Sequence, residues 1–231
     1  MRLLLIRHGQ TPSNVAGLLD TAHPGPGLTQ LGTRQAEQIP VALSNDVIGR
    51  IYVSTLLRTH LTAAPLAADR EADAIELPGI HEIEAGTLEG HSDHASVHQY
   101  LETVFSWGLG NLDVVMPGST DGHAFFDRFD ADIARVAADH DAGGVAGSVA
   151  ARTVVVFSHG AAIRVWVAGR ASNVAASFAG EHEIDNTGMV ELEGNPRDGW
   201  VLLSWQGTPV GGTDLVDASA KDPTGDRLSD S

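Results

Sequence analysis

Two histidines in this chain share one local setting. Arg7–His8–Gly9 directly follows the apolar run Leu3–Ile6, and Ser158–His159–Gly160 directly follows Val154–Phe157. Loops at the carboxyl ends of parallel strands gather ligands. A guanidinium beside an imidazole can hold a phosphoryl group while the imidazole acts on it, and the glycine after each histidine admits a close approach. Gln10–Thr11–Pro12–Ser13–Asn14 adds hydroxyl and amide groups within one loop, useful for orienting an oxyanion and equally ordinary in a turn. Either His-Gly pair alone reads as a turn or a core histidine; two of them on strands able to lie side by side point to a site. His91, His94 and His98 fall at i, i+3 and i+7, on one helical face near Asp93. A solvated polar face explains them better than a metal centre, and no metal is expected.

Composition narrows the chemistry further. The 231 residues, 42% of them apolar, suit one compact domain. Thirty acidic against 14 basic residues give a net charge of −16, which opposes nucleic acid and anionic membranes. Absence of cysteine removes disulfides, thiolate nucleophiles, Fe–S clusters and Cys-type zinc sites together. Lys221 is the single lysine, so a basic site here is a set of arginine forks suited to phosphate or carboxylate. Leu3–Ile6 is far shorter than a signal-peptide core or a membrane span, and the expected location is the cytoplasm.

Several elements must position these residues. Leu3–Ile6, Arg50–Val53, Ala74–Leu77 and Thr153–Phe157 read as strands, the last one central because it is apolar without alternation. Thr29 reads as the N-cap of a helix carrying Leu31, Gln35, Ile39 and Leu43, and Leu56 to Ala68 has a second helical pattern. Residues 91–140, interrupted by Met116–Pro117–Gly118, read as a helical insertion and substrate cover. Their aromatic residues Phe105, Trp107, Phe125, Phe126 and Phe129 are expected to pack those helices on the sheet. Gly188–Leu192 and Trp200–Trp205 alternate like an antiparallel hairpin through Asn195–Pro196. The expected fold is α/β, a three-layer sandwich with a mostly parallel mixed sheet, helices on both faces and a helical insertion over the strand ends. The domain is placed at residues 1–206, and 207–231 read as an acidic, disordered tail.

Five segments in order resemble the histidine phosphatase superfamily, in its phosphoglycerate-mutase-like branch. Besides Arg7–His8–Gly9 they are Leu28–Thr29–Gln30–Leu31–Gly32 with Gln35–Ala36, Ser54–Thr55–Leu56–Leu57–Arg58 with Thr62–Ala63, Glu82–Ile83–Glu84–Ala85–Gly86–Thr87–Leu88–Glu89–Gly90, and Phe157–Ser158–His159–Gly160. The likeness spans residue 3 to about 165 and leaves the tail and most of 91–150 uncovered. It implies that His8 is the nucleophile, that Glu82 is the proton donor, and that Arg7, Asn14, Arg58, His159 and Gly160 bind the phosphoryl oxygens, His159 also counting as catalytic. Phosphoryl transfer is carried by positioned charge, so no cofactor is expected. Imidazole attacks only when neutral, which calls for a backbone carbonyl on the second nitrogen of His8.

Departures from the family pattern favour a phosphatase over a cofactor-dependent phosphoglycerate mutase. Gln10 stands where many members have Glu, Ser13 where mutases have Trp, and residues 86–125 contain no arginine or lysine. A non-catalytic phospho-ligand binding domain is the rival from another class. The expected partner is a small phosphorylated metabolite, with no nucleic acid and no membrane; a homodimer is left open.

Overall fold

The computed structural model describes residues 1–142 and 153–225. Strands β1 (Arg2–Arg7), β2 (Ile48–Ser54), β3 (Ala74–Leu77), β4 (Thr153–Ser158), β5 (Met189–Asn195) and β6 (Gly199–Gln206) form, among the described residues, one sheet in the order β3-β2-β4-β1-β5-β6. The first four of these in space are parallel, whereas β5 runs antiparallel to β1 and β6 antiparallel to β5. Val154–Phe157 pairs with Leu3–Ile6 on one side and Arg50–Val53 on the other. Burial on both faces and on both edges accounts for its unbroken apolar run.

Alternation along each strand divides the core in two. Leu4, Ile6, Ile51, Val53, Val155 and Phe157 face Ile39 of α2 (Gln30–Ala42) and Ala63 and Leu66 of α3 (Leu57–Asp69). Leu3, Leu5, Tyr52, Val154 and Val156 face the opposite helical layer of α4 (His94–Gly108), α5 (Gly122–Ala142) and α6 (Gly160–Arg170). Thr29 caps α2 by accepting from the Gly32 amide, as its position predicts. Two short helices complete the set, α1 (Pro12–Ala16) after β1 and α7 (Phe178–Glu181) before β5. No helix among the described residues is long and apolar enough to cross a membrane.

Residues 91–140 form the expected inserted helical pair, in the layer beside α6, with Phe105, Trp107, Phe125, Phe126 and Phe129 buried there against the sheet. One expectation needs correction. Residues 207–225, expected to be disordered, pack against the domain: Gln35 Nε2 donates to the Leu215 carbonyl and Arg7 pairs with Asp222. Composition counts what a segment can bury of its own; it does not register a partner waiting in the core. Residues 226–231 of that expected tail lie outside the described residues.

Candidate active site

The carboxyl ends of β1, β2 and β4 deliver three side chains to one place. His8 follows β1, Arg58 opens α3 after β2, and His159 follows β4. The His8 and His159 rings lie 5.2 Å apart between centroids. Glu82 joins them from the connection after β3. A cavity of about 10 Å³ at their centre is lined by His8, Asn14, Asp20, Arg58, Glu82 and Thr224, with Thr11, Ser13 and Leu18 at its sides.

Local packing explains the sequence blocks around this hub. A Cβ on Gly32 would stand 2.2 Å from the Gln10 carbonyl oxygen, so only glycine lets α2 begin against the 8–10 loop. The Gly9 amide donates to Thr62 Oγ1 at 2.9 Å and the Gln10 amide to Gln35 Oε1 at 2.8 Å. Those two polar residues of α3 and α2 therefore hold the histidine loop in place. Thr11 and Asn14 make a capping box that starts α1 inside the loop.

His8 is 2% exposed and its Nδ1 meets the Gly9 carbonyl at 2.8 Å. With Nδ1–H donating there, Nε2 keeps its lone pair. Burial, then the charges of Arg58 and Arg7, push the His8 pKa well below its ordinary value. Burial and then the charge of Arg58 likewise push the His159 pKa well below its ordinary value, with His8, His81 and Arg7 adding to the shift. Its Nε2 lies 2.7 Å from Ser54 Oγ, and its Nδ1 accepts from Arg58 Nε at 3.3 Å. Both His159 nitrogens are thus engaged within the protein, and the ring steers the guanidinium.

Arg58 is buried, donates from Nη2 to the Asp20 carbonyl at 3.0 Å, and has no hydrogen-bond partner for Nη1 among the described residues. Asp20 Oδ1 stands 3.9 Å from that nitrogen. A buried cation so sparsely paired is costly unless an anion completes it. Arg7, equally buried, forks onto Asp222 of the C-terminal segment, with contacts of 2.7 Å and 2.6 Å, and donates to the Ile184 carbonyl. Asn14 Nδ2 reaches the same carboxylate at 3.0 Å. Gly160 opens α6 against Thr224, whose carbonyl oxygen would be 2.5 Å from a Cβ there.

The three glutamates of the 82–90 segment separate by their partners. Glu82 lines the cavity and accepts backbone N–H groups from Ile83 and Ala162 at Oε1 and from Ala161 at Oε2. Glu84 points elsewhere, to His81 and Arg128. Partial burial raises its pKa, but the His81 hydrogen bond and the Arg128 charge outweigh this and bring it to about 2. Glu89 ties down the Thr21 and Ala22 amides. Arg128 of α5, which sequence reasoning missed, donates to the carbonyls of Gly79, His81 and Glu82, and the Tyr100 hydroxyl of α4 donates to that of Ile83. The inserted helices thereby fix the loop that presents Glu82.

The 91–98 histidines are elsewhere. His91 precedes α4, which starts at His94 after the Asp93 cap, and its Nδ1 bonds Ser96. Among the described residues no three His, Asp or Glu side chains converge as a metal site would require.

A family model described as the histidine phosphatase superfamily (branch 1) matches residues 3–208. The chain is 40% identical to the PE-PGRS family protein PE_PGRS11 of Mycobacterium tuberculosis over 92% of its length, spanning 38% of that relative. It is 28% identical to the adenosylcobalamin/α-ribazole phosphatase of Salmonella typhimurium, over 77% of this chain and 83% of the relative. A mycobacterial glucosyl-3-phosphoglycerate phosphatase solved with VO3 superposes with a TM-score of 0.73 at 22% identity, covering 90% of this chain and 99% of that one.

Proposed function

The chain belongs to the histidine phosphatase superfamily (branch 1), and from that premise we propose that it hydrolyses phosphomonoesters through a phosphohistidine on His8. The observation that carries this reading is an imidazole with its Nδ1 on the Gly9 carbonyl, in one cavity with Arg58 and Glu82, and kept neutral by burial and then by the charges of Arg58 and Arg7. Nε2 attacks phosphorus as the bond to the ester oxygen breaks, and Glu82 supplies the proton to that oxygen. Water then attacks the phosphohistidine, Glu82 takes back a proton, and inorganic phosphate leaves with His8 restored. Arg7, Arg58 and Asn14 hold the phosphoryl oxygens, the start of α6 at Gly160 lies behind them, and His159 keeps Arg58 in place. This is stabilisation of spreading charge by preset donors.

His8 stays neutral well below pH 6.5, so activity extends into the acid range, as in an acid phosphatase. Two guanidinium groups supply the positive charge, and the reaction runs without metal. The partner is a small phosphorylated metabolite, in keeping with the names of the relatives, and the acidic chain acts in the cytoplasm on neither nucleic acid nor membrane. A panel of phosphorylated metabolites assayed with and without chelator tests this. Phosphate release that survives chelator, with an acid-labile and base-stable adduct on His8, supports it; an adduct on serine or aspartate, or movement of phosphate within the substrate, overturns it.

A further inference from the structure

The groups proposed above to hold phosphoryl oxygens already hold an anion, and it belongs to the chain itself. Asp222 Oδ1 accepts from Arg7 Nη2 at 2.7 Å and from Asn14 Nδ2 at 3.0 Å, while Oδ2 lies 2.6 Å from Arg7 Nη1. A carboxylate forked on a guanidinium, with an amide donor on one oxygen, is the pattern that also grips two oxygens of a phosphoryl group. Thr224 follows it into the site: its Oγ1 accepts from Arg7 at 3.0 Å and it lines the cavity beside His8. The Thr224 carbonyl accepts from Arg164 at 3.2 Å, and the Gly225 carbonyl accepts from the Ile184 amide at 3.1 Å. What remains beside His8 is about 10 Å³, space for about one water and too little for a phosphoryl group.

We propose that Asp222–Gly225 is an autoinhibitory strap, in which the Asp222 carboxylate occupies the phosphoryl subsite on Arg7 and Asn14. Substrate and seated strap therefore exclude each other. This rests on the roles given above to Arg7 and Asn14. The strap is fastened in the way a displaceable segment must be. Asp222, Pro223, Thr224 and Gly225 insert no large apolar side chain into the core, and their attachments are polar ones that an anion can take over. A phosphate monoester brings more charge than a carboxylate and a further oxygen for Arg58, so it can win the exchange. Upstream, Gln10 Nε2 donates to Asp217 at 2.9 Å and Gln35 Nε2 to the Leu215 carbonyl at 2.8 Å. Those anchors keep the strap near the site after release.

The test compares the full chain with Asp222→Ala, using p-nitrophenyl phosphate as substrate and inorganic phosphate as ligand. Removing the competing carboxylate lowers both KM and the phosphate dissociation constant by about tenfold, the low end of the scale of one hydrogen bond to a charged group, with kcat within about twofold. Amide exchange of the wild-type chain supplies a readout that needs no variant. Added phosphate speeds exchange at the Gly225 and Ile184 amides if the strap is displaced. Unchanged or weaker phosphate binding in Asp222→Ala, or slower exchange at those amides on adding phosphate, overturns the strap. If Asp222→Ala does not fold, the wild-type exchange decides alone. Turnover by the wild type with KM and exchange unmoved sinks the strap and leaves the phosphatase reading standing. No turnover by either protein, with tighter phosphate binding to the variant, sinks the phosphatase reading and leaves the strap.

Discussion

The strand-end hub and the C-terminal strap meet at Arg7, and they are held by different forces. His8, Arg58 and His159 are fixed by groups that belong to the sheet and its first helices: the Gly9 carbonyl, the Ser54 hydroxyl, and the Thr62 and Gln35 side chains behind the loop. None of those contacts is one that a phosphate would compete for. The strap is fixed through Arg7, Asn14 and Arg164, three side chains with anion-binding character. On the proposed reading a phosphate leaves the hub as it is and takes Arg7 and Asn14 away from the strap. Rigidity where charge must be preset, and polar attachment where chain must yield, follow from which contacts the ligand can replace.

Breaking the hub gives the largest effects. His8→Ala removes the proposed nucleophile and should lower kcat by about 10⁴-fold or more, by comparison with loss of other catalytic nucleophiles. The thermal midpoint should move little, since His8 packs in a loop that Thr62 and Gln35 hold independently of its ring. A folded His8→Ala protein that keeps a tenth of wild-type turnover removes His8 from the chemistry. Arg58→Ala follows, at about 10²- to 10³-fold in kcat, the cost of losing one preset donor to developing charge. Lysine should restore only part of it, because a compact ammonium cannot span the separate positions at which the guanidinium fork meets His159 and the Asp20 carbonyl. Full rescue by lysine would put Arg58 outside the site.

How much of this contrast was legible in the sequence depends on the reach of each interaction. The two histidines of the hub could be read because each sits at the end of an apolar strand, marked locally by Ile6 to Arg7 and by Phe157 to Ser158, whereas Arg58, inside α3, was reached only through the resemblance of Ser54–Arg58 to a family block. Helix α6 was hidden, since Ala161–Ala162–Ile163 continues the apolar pattern of β4 and the boundary falls on His159. Arg128 gave no sign of its role, for the carbonyls it binds lie 46 to 49 residues earlier. The strap was misread for the same reason in stronger form. Its composition is that of a disordered segment, and its partner, Arg7, is 215 residues away.

Glu82 tests the hub at the chemistry itself. Glu82→Gln should slow an alkyl phosphate by about 100-fold or more, within the usual range for acid–base catalysis, and p-nitrophenyl phosphate clearly less, because its phenolate leaves with little help. Glu84→Gln should leave the ratio of the two rates alone, since Glu84 serves His81 and Arg128. Equal losses on both esters in Glu82→Gln would assign the proton elsewhere.

Acid should loosen the hub by a smaller and calculable amount. His8 and His159 both have folded pKa values well below 6.5, so the unfolded chain binds protons that the folded one refuses. Their stabilisation is complete above about pH 6.5 and is lost as pH falls below it. Between pH 6.5 and 5.5 each costs about 1 kcal/mol, and the two together about 2 kcal/mol. Denaturant midpoints measured across that window check the sum, and His159→Asn should halve the slope. A midpoint flat from pH 7.5 to 5.5 would mean that these rings are not buried neutral.

The smallest effect is the one most specific to the strap. Gln10 accepts from the Thr29 hydroxyl at Oε1 and donates from Nε2 to Asp217 at 2.9 Å. Gln10→Glu keeps the acceptor and turns the donor into a second anion facing Asp217, without touching Asp222, Arg7 or the cavity. One lost hydrogen bond and a near-surface repulsion amount to about 1 kcal/mol, or about fivefold in seating, after solvent screening. KM for a phosphomonoester should fall by up to that factor and kcat should hold. Because the repulsion is screened, the gain should shrink as salt rises from low ionic strength toward about 0.5 M. Lower kcat with unchanged KM at every salt concentration would show instead that Gln10 acts on the histidine loop through Gln35 and Thr29, and that seating of the strap does not depend on its Asp217 anchor.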